Sequence, residues 1–189
     1  MEDPVSRELN LENLAVISSA MPMYWESFIF YGTLLGFHRD KNIIENDDDL
    51  DIMVERKHRN ELIQIAKVYT PFDVSIDHHD IVQLTRHIKG VQTYVDIYFY
   101  DNIADKDYIV DQWNTDRTPI TTVEGQRYMG IPLKIPKSMI FPIKQESMQD
   151  ILLNVPNNPE ECCRYVYGES FMIPSDKHSG GYFDILKPS

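Results

Sequence analysis

Between residues 45 and 51 the chain carries Glu45, Asp47, Asp48, Asp49 and Asp51, five acids in seven residues, run into the apolar alternation Leu50, Ile52, Val54. Successive side chains of a strand point to opposite faces. Residues 50–54 therefore read as a short strand that turns Leu50, Ile52 and Val54 to the core, with Asp47, Asp49 and Asp51 leading in on one side. Three carboxylates on one side repel unless something positive lies among them. A hard divalent cation such as Mg²⁺ answers that need, because it takes carboxylate oxygens and keeps positions for water and substrate phosphates. A solvated acidic loop is the bland alternative. A calcium loop of the EF-hand type fails, since Ile52 stands where glycine is needed and His58 where a bidentate glutamate is needed.

The segment upstream favours the catalytic alternative. Residues 27–31 form an aromatic run of strand type that stops at Gly32, and residues 33–39 read as a short helix or turn. In Tyr31-Gly32-Thr33-Leu34-Leu35-Gly36, Gly32 lets a backbone approach a ligand closely. Thr33 adds a hydroxyl where helix N-terminal amides can hold a phosphate oxygen. A glycine turn after one strand and Asp-x-Asp on the next is the layout of a nucleotidyltransferase-type site, one element for phosphate and one for metal.

Around these motifs the chain reads as one α/β (α+β) domain over residues 1–189, a mixed sheet flanked by helices, with its core at about residues 24–175. Leu9, Leu14, Ile17 and Met21 recur at near-helical spacing, so residues 8–21 read as a helix ended by Pro22. Residues 57–69 read as a second helix. Residues 72–77, 81–88 and 92–100 read as a three-stranded meander around a His78-His79 turn and Gly90. Adjacent histidines on a turn point apart, so that turn is read as a loop. Residues 101–120, with five acids and Pro119, read as irregular, and residues 123–128 and 131–135 as a hairpin through Gly130. Asn158, Pro159 and Glu161 offer a cap, a first-turn proline and a first-turn acid for a last helix that Gly168 follows.

Composition excludes several classes. The net charge of −12 opposes a phosphate backbone, and no run of Lys and Arg offsets it, so nucleic acid is not an expected partner. Charge is uneven, however: residues 125–145 hold no acid but contain Arg127, Lys134, Lys137 and Lys144, bases that could meet a phosphate or be ordinary solvated side chains. Cys162 and Cys163 are adjacent, which argues against a disulfide framework or a zinc site. No stretch reaches the ~18 apolar residues of a membrane span. The expectation is a soluble, cytoplasmic chain with no membrane span.

Tyr31-Gly-Thr-Leu-Leu-Gly-Phe-His-Arg39 followed by Ile44-Glu-Asn-Asp-Asp-Asp-Leu-Asp-Ile52 resembles the signature of the LicD family, which includes bacterial phosphocholine transferases and fukutin-related proteins. Tyr94-Val-Asp-Ile-Tyr-Phe99 resembles the family's later Asp-bearing strand, residues 125–136 its Gly-x-Pro hairpin, and Tyr167-Gly168 with Pro174 its C-terminal element. The chain has Glu45-Asn46 where Pro-Trp is common in the family. The resemblance implies a nucleotidyltransferase-like fold and transfer of a substituted phosphate from a CDP-linked donor to a glycan hydroxyl, with Mg²⁺ or Mn²⁺. It also implies that Asp49 and Asp51 bind the metal, with Asp96 the third carboxylate, as ligand or base. Gly32 and Thr33 would lie by the donor phosphates, and Arg39 would neutralise charge there. By its bland reading, Arg39 pairs with Glu45 or Asp48. Alternatives to this activity are transfer of a nucleoside monophosphate to a protein or small molecule, and an inactive nucleotide- or carbohydrate-binding module.

Overall fold

The computed structural model describes residues 7–113, 120–121, 127–128 and 132–174. Leu9, Leu14 and Ile17 bury one stripe of helix α1 (Arg7–Ala20), as the spacing predicts, but Asn10 and Asn13 are buried with them. Strand β1 is only Phe28–Ile29, because Tyr31 already opens helix α2 (Tyr31–Arg39). Strand β2 (Asp51–Glu55) follows, then a single 3₁₀ turn (Arg56–His58) and helix α3 (Arg59–Tyr69). The meander appears as β3 (Asp73–Asp77), β4 (Ile81–Ile88) and the long β5 (Val91–Asn102).

Residues 108–111, read from sequence as irregular, form β6 (Tyr108–Asp111), with Ile109, Val110 and Asp111 buried. Four residues that follow Asp107 and end on Asp111 show too short an alternation to reveal a strand that forms by pairing with β5 on one side and with β9, more than twenty residues on, at the other. The hairpin expected between residues 123 and 135 is also corrected where it can be described. Short β7 (Ile120–Thr121) pairs with β8 (Arg127–Tyr128), whereas β9 (Leu133–Pro136) pairs with β6. Residues 122–126 and 129–131 lie outside the described residues. A short helix α4 (Lys137–Ile140) and a hairpin of β10 (Lys144–Met148) with β11 (Ile151–Val155) were not legible in the sequence. Helix α5 (Pro159–Tyr167) is capped as expected, the Asn158 side chain accepting from the Glu161 N–H.

The main sheet is mixed and seven-stranded, ordered β1-β2-β5-β4-β3, with β6 and β9 continuing from the end of β5. Among the described residues only β2 and β5 pair in parallel; the other pairs of this sheet are antiparallel. The connection from β2 to β5 runs through α3 and the β3–β4 hairpin, and α2 packs on β2 and α5. Strand β2 is buried from Asp51 to Val54, so both of its faces are covered. The parallel register sets Asp51 beside Asp96 on the neighbouring strand. Residues in register share a face, which brings together two acids far apart in sequence.

Candidate active site

The start of α2 grips the start of β2. The Asp51 N–H donates to Thr33 Oγ1 at 2.8 Å, and the Thr33 N–H donates back to Asp51 Oδ2 at 3.4 Å. The Phe30 N–H donates to the Asp51 carbonyl at 3.0 Å. A Cβ on Gly32 would stand 3.1 Å from Asp51 Oδ2 and 3.2 Å from Asp47 Oδ2. The missing side chain thus makes room for two carboxylates. Thr33 is buried, and its hydroxyl is engaged by Asp51.

The acidic loop is held from the other side by α1. Asn10 Nδ2 donates to the Asp47 carbonyl at 2.9 Å and Arg7 Nε to the Ile43 carbonyl at 2.8 Å. Carboxylate oxygens of Asp47, Asp48 and Asp49 all lie within 4.8 Å of one another. Of the three acids that the resemblance singles out, Asp49 belongs to this triple, while Asp51 and Asp96 sit in register on the sheet, near enough for their charges to act on one another and on Asp49. Gln83 on β4 donates to Asp96 Oδ1 at 2.9 Å.

The electrostatics mark these groups as one cluster. Burial first, then the charges of Asp47, Asp96 and Asp48, pushes the Asp49 carboxyl up to about 7. Burial and Asp48 push Asp47 up to about 6. Burial raises Asp51 well above the usual carboxylate range, and Asp49, Asp47 and Asp96 add to it. Among the described residues no Lys, Arg or His makes an ion pair with Asp47, Asp48, Asp49 or Asp51. An all-oxygen donor set with unbalanced negative charge fits Mg²⁺ or Mn²⁺ and disfavours soft metals.

An aromatic wall adjoins the acids. The phenols of Tyr98 and Tyr167 are raised by burial first and then by charges that include Asp51 and Asp49. Tyr98 meets the Tyr31 ring edge-on at 4.9 Å and the Trp113 ring at 5.6 Å. The Tyr31 hydroxyl donates to Asp111 Oδ2 at 2.6 Å and accepts from Trp113 Nε1 at 2.9 Å. Asp111 is fully buried, and burial pushes its carboxyl up to about 7 against hydrogen bonds from Tyr31 and the Trp113 N–H.

Other residues singled out in the sequence are otherwise engaged. Arg39 closes α2 at the opposite end from Gly32 and holds Asp40 through Nε at 2.7 Å and Nη2 at 2.8 Å, instead of Glu45 or Asp48. Lys137 and Lys144 donate to the carbonyls of Ile103 and Asn157, each at 2.6 Å, and Lys134 lies over the Tyr108 ring. The side chain of Arg127 lies outside the described residues. Sequence reasoning gave no role to Asn10, Gln83, Asp111 or Trp113. Their signal was weak, since each acts through a partner more than ten residues away.

A helix with a glycine in its first turn, beside acids on two parallel strands of a mixed sheet, fits a nucleotidyltransferase-like fold. The structure is similar to that of the lincosamide antibiotic adenylyltransferase LnuA bound to lincomycin, with a TM-score of 0.50 at 14% identity over 82% of each chain. It is also similar to a candidate nucleotidyltransferase from Thermotoga maritima, with a TM-score of 0.41 at 15% identity over 80% of each chain. Residues 25–158 match the family described as "LicD/FKTN/FKRP, nucleotidyltransferase domain", and the chain belongs to that family. No curated protein matches the sequence. Family and fold together make it a nucleotide-related transferase. No described helix is long and apolar enough to cross a membrane.

Proposed function

We propose that the protein is a divalent-metal-dependent transferase that moves a phosphoryl-linked group, of the phosphocholine or polyol-phosphate kind, from a CDP-type donor to a glycan hydroxyl. The observation that supports it best is the acid cluster of half-buried Asp47 and Asp49 with buried Asp51 and Asp96, in which the charges raising Asp49 and Asp51 are all carboxylates. A divalent cation, if held there, would supply neutralisation of the charge on the donor phosphates and the leaving nucleotide. Asp49 and Asp51 would hold it, with Asp47 close enough to contribute. Asp96 either completes that site or takes the hydroxyl proton, and Gln83 orients it for both.

In this reading the acceptor oxygen bonds to the distal phosphorus, the bond from that phosphorus to the bridging oxygen breaks, and nucleoside monophosphate leaves with the electron pair. The hydroxyl proton passes to a carboxylate. Such transfer needs placement and charge neutralisation more than covalent chemistry from the protein. Gly32 and Thr33 serve it by placing Asp51, and Arg39 is left out because Asp40 holds its guanidinium.

The test is a thermal-shift screen of CDP-choline and CDP-ribitol against UDP-sugars and nucleoside triphosphates, with and without Mg²⁺. The expected result is a Mg²⁺-dependent rise with the CDP compounds that Asp49→Asn and Asp51→Asn each abolish in a folded chain. No shift with any nucleotide in the presence of metal would sink the enzyme reading. Release of CMP during turnover marks transfer of the substituted phosphate; release of pyrophosphate from a triphosphate marks nucleotidyl transfer instead.

A further inference from the structure

Asp111 is a fully buried carboxyl that the chemistry proposed above does not use. It closes β6, where backbone pairing fixes it between Tyr100 of β5 and Leu133 of β9. Both of its oxygens are committed: Oδ2 accepts from the Tyr31 hydroxyl at 2.6 Å and Oδ1 from the Trp113 N–H at 3.1 Å. Trp113 Nε1 donates to the same hydroxyl at 2.9 Å, so the Tyr31 ring is held at its tip from two directions.

The restrained ring belongs to a strained residue. Tyr31 has φ of 41°, the left-handed region that a bulky L-residue enters only when its surroundings impose it. The next two residues are Gly32, against which the Asp47 and Asp51 carboxylates lie, and Thr33, which exchanges two hydrogen bonds with Asp51. A different φ at Tyr31 would swing this first turn of α2 and the groups that place Asp51 with it.

Resting on the metal-site reading above, we propose that Asp111 and Tyr31 are positioning residues. Asp111 anchors the Tyr31 hydroxyl, the anchored ring maintains the left-handed backbone, and that backbone sets where Asp51 presents its carboxylate to a divalent cation. Residues that orient metal ligands from behind typically change metal affinity ~10–100-fold when altered.

The experiment titrates Mn²⁺ into the full chain and follows free Mn²⁺ by electron paramagnetic resonance, a readout independent of turnover. Wild type, Tyr31→Phe, Asp111→Asn and the double variant are compared, each checked for folding by near-ultraviolet circular dichroism and melting temperature. The expected result is an affinity loss of about tenfold or more in each single variant. The double variant should be no weaker than the worse single one, because both changes break the same Tyr31–Asp111 contact. Wild-type Mn²⁺ affinity in Tyr31→Phe and Asp111→Asn overturns the proposal even where the melting temperature falls, since that is a purely structural role. Additive losses in the double variant overturn the shared contact. If Asp111→Asn does not fold, Tyr31→Phe, which removes one oxygen atom, decides alone. No Mn²⁺ binding by wild type sinks the metal site itself, an outcome distinct from equal binding by wild type and variants.

Discussion

At Gly32 a side chain would stand where two carboxylates already lie. The gaps of 3.1 and 3.2 Å to Asp51 and Asp47 are tighter than ordinary contact by a few tenths of an ångström, so an added methyl displaces the acids. Alanine is also the better helix former, by about 1 kcal/mol over glycine. Gly32→Ala should therefore leave the urea midpoint unchanged or slightly raised while weakening Mn²⁺ binding; a midpoint that falls with affinity intact would contradict this account. The residues themselves were legible from spacing, and part of what they do was not. Spacing places Thr33 where a phosphate could lie; that its hydroxyl also accepts from the Asp51 N–H is not in the motif. A motif shows which residue types meet; the hydrogen bonds between them depend on how closely two elements pack.

Helix α2 shows how an element is placed by what it must not touch. A Cβ on Gly36 would come 2.6 Å from the Asn42 carbonyl oxygen and 3.0 Å from the Ile44 nitrogen, both backbone atoms that cannot turn away. The Gly36 carbonyl also accepts the Asp40 N–H at 2.9 Å and the Asn42 N–H at 3.3 Å as the chain folds back. Gly36→Ala is expected to cost ~1–3 kcal/mol through overpacking, outweighing the gain in helix propensity. Chemical denaturation would show this as a lower midpoint at constant slope, and an unchanged midpoint would mean that the loop after α2 moves freely. Elements with long local patterns were readable: α1, α3, β4 and β5 all lie where periodicity puts them. Strand β6 was not, because its four residues become a strand only by pairing with β5 and β9.

Over the whole molecule, part of the charge of −12 is folded inward, and this makes stability depend on pH. Asp47, Asp49 and Asp111 hold protons up to about 6, 7 and 7, against 3.8 for an unperturbed aspartate. Their contribution to stability is complete below the unfolded value and is lost as pH rises through the folded values. His38 and His58 act oppositely, since burial lowers them, but both are only partly buried. The carboxyls should dominate. With a chelator present, the melting temperature should fall from about pH 5 to about pH 8. Added Mg²⁺ or Mn²⁺ should restore more at the upper end, because protons and metal compete for the same oxygens. A melting temperature that rises across that window without metal would refute the burial of these charges.

The sequence by itself determined the chemical alphabet of the candidate site, a glycine turn and an Asp-x-Asp run into a strand, and the resemblance to the LicD family added the later Asp96 and the expectation of a metal-dependent transferase. Those signals are local, since strand alternation and turn chemistry act over a few residues. Tertiary structure alone decided that Asp51 and Asp96 stand in register, that Gly32 and Thr33 serve the carboxylates, that Arg39 is held by Asp40, and that Asp111 reaches Tyr31 across 80 residues of chain. Each of these depends on which strands become neighbours and how closely they pack, which is settled by burying the whole core at once and leaves little trace in any short stretch of sequence.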